Sequence, residues 1–184
     1  MRVIKLGGSL SQKSALIHCL DTIEQRYAQQ PVIIVPGGGA FADQVRLAQT
    51  HWQFDDTTAH QMAILAMQQM ALLIKGLKPQ FTLAPSINAF LKPPLKPEIW
   101  IWSPSVNELN EAGIAASWKI TSDSLAAWLA KTIEAKSLTL VKSAVIDQQM
   151  TLQDLTNLGI IDAEFCNFTL NTAFSITVIH HNDF

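Results

Sequence analysis

Val3-Ile4-Lys5-Leu6-Gly7-Gly8-Ser9 and Val32-Ile33-Ile34-Val35-Pro36-Gly37-Gly38-Gly39 follow one plan: an apolar run rich in β-branched residues, a glycine loop, then a segment of helical periodicity. The runs predict strands, with Val32 to Val35 buried on both faces. A glycine loop between a strand and a helix lets backbone N–H groups approach an anion closely, and the helix N-terminus adds partial positive charge. Lys5 supplies a full charge beside the first loop. Neither loop has the Walker spacing or the Gly-x-Gly-x-x-Gly dinucleotide spacing. The pair therefore reads as a phosphate site of another kind.

Outward from these loops, strands and helices alternate. Leu16, Leu20, Ile23 and Tyr27 recur at helical spacing up to Pro31, and Phe41, Val45, Ala48 and Trp52 do so after the triple glycine. Asp55 and Asp56 are capping candidates for a long helix from about Thr58 to Ile74. Phe81 to Ala84 and Ile99 to Trp102 read as strands, separated by a proline-rich loop from Lys92 to Pro97. Thr121-Ser122-Asp123 precedes a helix carrying Leu125, Trp128, Leu129 and Ile133. Ser137 to Val141 is a strand, Thr151 to Leu158 a short helix ending at Gly159, and Phe174 to Ile179 a last strand. This alternation predicts an α/β fold, a three-layer αβα sandwich around a largely parallel sheet. Ligands of such sheets bind beyond the strands' carboxyl ends, where both glycine loops and Lys142, directly after Thr139-Leu140-Val141, would lie.

The 184 residues suit a single domain, 1–184. A formal charge of −2, with 13 Lys and Arg residues spread along the chain, gives no basic footprint for nucleic acid. Cys19 and Cys166 stand in no Cys-x-x-Cys or disulfide pattern and read as buried thiols. No signal peptide and no run near ~20 apolar residues is readable. The expectation is a cytoplasmic protein with a small-molecule partner and no membrane or nucleic-acid role. No residue stands out as a metal ligand.

With Ile120-Thr121-Ser122-Asp123-Ser124 added, the three motifs in their order resemble the amino acid kinase superfamily, which includes aspartate, acetylglutamate and uridylate kinases. The resemblance implies transfer of the γ-phosphoryl of ATP, usually with Mg2+, to a carboxylate, carbamate or phosphate oxygen. It makes Lys5 the cation on the transferring phosphoryl and Asp123 the residue that orients a phosphate-contacting lysine. Gly7, Gly8, Ser9, Ser122 and Lys142 would serve the nucleotide, and Gly37, Gly38, Gly39, His60 and Trp118 the acceptor. An acceptor half would span about 1–110 and a reduced nucleotide half about 111–184.

Ser117-Trp118-Lys119-Ile120 through Ala126, with Leu140-Val141-Lys142-Ser143, is similar to a compact subgroup of kinases associated with methanofuran-type one-carbon cofactor synthesis. Those act on an aminomethyl-furanmethanol phosphate and make a diphosphate. Members of the wider family commonly form dimers or hexamers, and the methionine-rich helix from about Thr58 to Ile74, through Met62 and Met70, is the candidate contact. Each residue also has a plainer reading: Lys5 a solvated strand-end lysine, Asp123 a first-turn helix residue, His60 a partly buried histidine, the methionines core filler. The family's late Gly-Gly-Met-x-x-Lys element has no lysine in Leu158 to Phe165. Either Lys142 or Lys119 replaces it, or the chain is a non-catalytic nucleotide- or phosphate-binding regulator or a partner subunit.

Overall fold

Strand β1 (Arg2–Leu6) lies inside a six-stranded sheet. It pairs with β2 (Val32–Pro36) on one side; β3 (Thr82–Ala84) and β4 (Ile99–Trp102) continue the sheet beyond β2. On the other side it pairs with β5 (Ser137–Lys142), and β6 (Ser175–His180) closes that edge. The order is β3-β4-β2-β1-β5-β6, and every pairing is parallel. This computed structural model describes residues 1–11, 13–91, 97–147 and 149–184. The segment Lys92 to Lys96, read as loop, lies outside the described residues.

The strands' two-residue alternation divides the core in two. Val3, Ile33, Val35, Trp102, Leu138 and Leu140 face one layer, and Ile4, Leu6, Val32, Ile34, Ile101 and Val141 the other. Helix α1 (Lys13–Arg26) covers the second face with Leu16, Leu20 and Ile23. Helices α2 (Gly39–Trp52) and α3 (Asp56–Leu77) form an antiparallel pair, and α3 serves both clusters, Ile64 and Met67 joining the first and Met70, Ala71 and Ile74 the second. Beyond β4 come α4 (Val106–Glu111) and α5 (Ser122–Thr132); after β5 come α6 (Leu152–Asn157) and α7 (Phe165–Phe168). Leu125, Ala126 and Leu129 of α5 pack on the first face. Full burial of such Val, Ile and Leu side chains stabilises by about 1.5–3 kcal/mol each. Among the described residues no helix is long and apolar enough to cross a membrane.

Two short helices, α4 and α7, of six and four residues, are not among the elements read from the sequence. Helix α3 extends past the expected Thr58–Ile74 at both ends: Asp55 caps it by accepting from the Thr58 N–H at 2.7 Å, and Gly76 continues it. Met70 corrects the expected helix contact, being 3% exposed and packed in the core. The outward side of α3 carries Leu65, Leu72 and Leu73 instead.

Candidate active site

Lys5 on β1 lies opposite Leu140 in the register, and Lys142 stands two residues further along β5. A separation of two puts both side chains on one face of the sheet, over which α5 begins. Asp123, in the first turn of α5, lies between them: its Oδ1 is 2.7 Å from Lys5 Nζ, and its Oδ2 accepts from Lys142 Nζ at 2.5 Å. All three are buried. Burial alone would raise the Asp123 carboxyl, but the two lysines outweigh it and hold the group below the usual carboxylate range. Burial, with Lys5 adding repulsion against the pull of Asp123, pushes Lys142 down to about 8. The centre thus carries two ammonium groups on one carboxylate, a net positive charge facing an open cavity. Lys119, the other candidate replacement for the late lysine, is exposed.

The two glycine loops meet at this centre. A Cβ on Gly8 would lie 2.7 Å from the Gly39 nitrogen, and one on Gly37 would lie 2.5 Å from the Gly8 nitrogen. Only glycine permits so close a backbone approach. The Gly7 N–H donates to Val141 O and the Gly37 N–H to Leu6 O, both at 2.9 Å, so these two amides extend the sheet's ladder. Gly8, Ser9, Gly38 and Gly39 line the cavity; Gly7 lines an adjoining chamber with Lys142, Ser143 and Gly159. Gly37 lines neither and corrects its reading as an acceptor contact: its place is behind the wall, where it lets the loops touch. Ser9 Oγ and Ser143 Oγ join the first loop to the end of β5 at 2.6 Å. The N-terminal turns of α2 and α5 both border the cavity, adding partial positive charge from two directions.

The start of α5 is held from a distance. Asp162 accepts from the backbone N–H of Thr121 at 2.8 Å and of Ser124 at 2.9 Å, and also from the Thr121 hydroxyl. Thr121 occupies the N-cap position but makes no side-chain cap bond of its own. Asp162 therefore fixes the turn that presents Asp123 to the lysines. Nothing in Ile160-Ile161-Asp162-Ala163 signals this role, since the contact spans about forty residues and has no local pattern.

The opposite wall belongs to α2 and α3. Gly39, Ala42, Asp43 and Arg46 form one helical stripe on α2, and Asp56, His60, Ala63, Ile64 and Met67 one on α3. The volume enclosed is about 460 Å³. His60 is 8% exposed; its Nε2 has no hydrogen-bond partner among the described residues, and burial lowers its pKa. Trp118 closes the cavity's side. Its indole N–H donates to Gln49 Oε1 at 2.6 Å, and the Gln49 amide nitrogen donates to Asp56 Oδ1 at 2.9 Å. Because indole can only donate, it orients the Gln49 amide toward the carboxylate. The Arg46 guanidinium lies 3.8 Å over the Trp118 ring. Of the expected site residues, Lys5, Gly8, Ser9, Gly38, Gly39, His60, Trp118, Ser122, Asp123 and Lys142 share this one cavity. Arg46, Gln49, Asp43, Asp56 and Asp162 are not among the site residues read from the sequence, although the spacing of Gly39, Asp43 and Arg46 is the trace that could have found two of them.

A curated relative, [5-(aminomethyl)furan-3-yl]methyl phosphate kinase of Methanocaldococcus jannaschii, is 29% identical over 148 residues, covering 75% of this chain and 63% of that protein. The chain thus spans less than two thirds of that relative's length. Among solved structures, uridylate kinase from Archaeoglobus fulgidus superposes with a TM-score of 0.73 at 19% identity, over 98% of this chain and 91% of that one. UMP kinase from Ureaplasma parvum gives 0.70 at 19% identity, over 97% and 88%. Aspartate kinase from Synechocystis gives 0.65 at 12% identity, over 98% of this chain and 38% of that one. These likenesses show the fold. The sequence model of the amino acid kinase family matches residues 1–144, a stretch that holds both glycine loops, Asp123 and Lys142, and the chain belongs to that family.

Proposed function

We propose that this protein is an ATP-dependent kinase that phosphorylates a small metabolite bearing a phosphate monoester or carboxylate. The observation that carries the reading is the buried Lys5–Asp123–Lys142 group at the mouth of the double glycine loop. An acceptor oxyanion attacks the γ-phosphorus, the bond to the bridging oxygen breaks, and ADP leaves with that oxygen. Lys5 neutralises the equatorial oxygens of the transferring group, Lys142 the nucleotide side, and Asp123 holds both ammonium groups in place. No general base is required for an acceptor that is already an oxyanion. The cavity-lining amides of Gly8, Ser9, Gly38 and Gly39, with His60, serve the phosphates.

A magnesium ion would reach this site on the nucleotide phosphates, with waters and phosphate oxygens as its ligands, because the carboxylate oxygens of Asp123 are taken by the two lysines and those of Asp162 by the start of α5. Bound there, it would neutralise phosphate charge. The specific acceptor we favour is an aminomethyl-furanmethanol phosphate, converted to its diphosphate. Its support is the 29% identical kinase together with the room for a small ring beside Trp118.

The test is ADP release from purified protein with ATP, Mg2+ and [5-(aminomethyl)furan-3-yl]methyl phosphate, expected in the parent and lost by about 10²–10³-fold in Lys5→Ala. A second reading, a nucleotide- or phosphate-binding regulator or partner subunit, draws on one observation: the cavity wall from Gly159 to Ala163 contributes no cation. Tight nucleotide uptake in calorimetry without ADP formation, across phosphate and carboxylate acceptors, would favour it. The exposed Leu65, Leu72 and Leu73 of α3 support a homodimer contact. Sedimentation of Leu65→Glu/Leu72→Glu as a monomer is the expected outcome.

A further inference from the structure

The main cavity does not end at the two lysines. The adjoining chamber has a volume of about 360 Å³, and Lys5, Gly8, Ser9, Lys142, Gly159 and Ile160 line both spaces, so these residues mark the throat between them. Contacts close the throat into a ring. From Lys5 the chain leads through the first glycine loop to Ser9, and Ser9 Oγ meets Ser143 Oγ at 2.6 Å. Ser143 directly follows Lys142, and Asp123 joins the two lysines. Two bridges therefore tie the same two chain segments. They differ in kind: the Asp123 bridge is buried and charged, whereas the two serines are exposed and neutral.

An exposed bond between hydroxyls adds little to stability, because water serves either group nearly as well. Its chemical capacity is larger. Two hydroxyls carry two protons, and the bond between them uses one. The serine that accepts within the pair keeps its own proton to donate elsewhere, and it donates more strongly for being donated to. Either oxygen can be the donor of this pair. With Ser143 donating, the spare proton is on Ser9, which lines both spaces; with Ser9 donating, it is on Ser143, which lines the adjoining chamber alone. Reversal needs two hydroxyl rotations and no movement of the backbone.

Resting on the kinase reading above, with the nucleotide in the adjoining chamber and the acceptor in the main cavity, we propose that Ser9 and Ser143 are catalytic residues acting as one reversible hydrogen-bond donor to the transferring phosphoryl group. Ser143 serves its oxygens while the group is still part of the nucleotide, and Ser9 serves them as the group passes the throat. No proton leaves either serine and no bond to serine forms; the phosphorus–oxygen bonds made and broken are those of the transfer itself. The lysines supply fixed charge, and the pair supplies a hydrogen bond whose position follows the moving charge. A bond from Ser9 that forms only as the group moves is felt in kcat and leaves the acceptor's KM unchanged.

The experiment measures ADP formation with ATP, Mg2+ and [5-(aminomethyl)furan-3-yl]methyl phosphate in the parent protein, Ser9→Ala, Ser143→Ala, the double variant and Ser143→Thr. Ser9→Ala should lose about tenfold to a hundredfold in kcat with the acceptor's KM unchanged. Ser143→Ala should lose less, about threefold to tenfold, because Ser9 keeps a proton but loses the partner that orients and polarises it. The double variant should match Ser9→Ala, since Ser143 reaches the moving group only through Ser9, and Ser143→Thr, which keeps the hydroxyl, should stay within about twofold of the parent. Thermal midpoints should remain within about 2 °C of the parent's throughout, as for other exposed substitutions. Losses that multiply in the double variant would show two independent contacts and overturn the proposal. So would a Ser9→Ala protein with the parent's kcat, or one whose lost turnover accompanies a clear fall in thermal midpoint, although in each case the kinase reading would stand. A parent protein that forms no ADP would remove the kinase reading and this proposal with it.

Discussion

The two sides of the cleft are built on different terms. One wall consists of α2 and α3, helices of 14 and 22 residues that pair with each other, α3 burying its apolar face in both core clusters. The other, between β5 and β6, has among the described residues only α6 and α7, of six and four residues. Helices shorter than about 12–15 residues are marginal unless tertiary contacts hold them. That wall relies on point anchors: the reciprocal capping box of Thr151 and Asp154, and the three hydrogen bonds that Asp162 makes to the start of α5. A long-helix wall distributes its stability; a short-helix wall concentrates it. The catalytic candidates sit at the junction.

Asp123 is where the two strand lysines meet the helix start that Asp162 clasps, and its loss should have the largest effect. Asp123→Asn leaves two buried ammonium groups facing each other, with an expected loss of about 3–5 kcal/mol in denaturant unfolding and no detectable ADP formation. Next, Asp162→Ala exposes the contrast between anchors directly. It should lower stability by about 2 kcal/mol and reduce turnover together, because it releases the turn bearing Asp123. Asp55→Ala, at the start of α3, should lose less stability and leave turnover alone. Equal effects of the two substitutions would erase the proposed difference between the walls.

Glycine substitutions give a smaller pair of opposite sign. Gly37→Ala would force a Cβ to within 2.5 Å of the Gly8 nitrogen, and should lower stability by about 1–3 kcal/mol. Gly76→Ala, in the exposed end of α3 with nothing within 4 Å, should raise stability by up to about 1 kcal/mol. Thermal unfolding of both proteins is the check. The mildest effect is a pH dependence. Lys142 is held down at about 8, so it is charged below that pH and loses its proton as pH rises through it. If its charge serves the nucleotide, kcat/KM should fall severalfold above pH 8, and Lys142→Arg should abolish that limb because guanidinium does not titrate there.

How much of this was legible in the sequence follows from the range of each interaction. Lys5, the glycines and Asp123 belong to strand–loop–helix units whose chemistry is written locally, and their register on adjacent strands follows from the parallel sheet. Asp162 is legible only in three dimensions, because a cap supplied from about forty residues away leaves no capping sequence beside it. Arg46 and Gln49 meet Trp118 across α2 and the segment before α5, so neither of the two stands out alone. Gly37 misled by type: it is a glycine in the right loop, but its amide is committed to Leu6. Met70 misled by composition, since a methionine-rich helix does not say which methionines face out; α3 turns Met70 inward and Leu72 outward.

The long reach of Asp162 also bears on the order in which the chain can become active. Synthesis runs from the N-terminus at about 5–20 residues per second, so β1, β2, α3 and even Lys142 emerge before the side chain that steadies α5. Until residue 162 leaves the ribosome, the first amides of that helix lack their carboxylate, and Asp123 has no fixed direction in which to hold the lysines. The stretch matched by the family model stops at 144, short of this clasp. A nascent or truncated chain ending there would hold both glycine loops and both lysines, yet lack the closing contact that orders their centre.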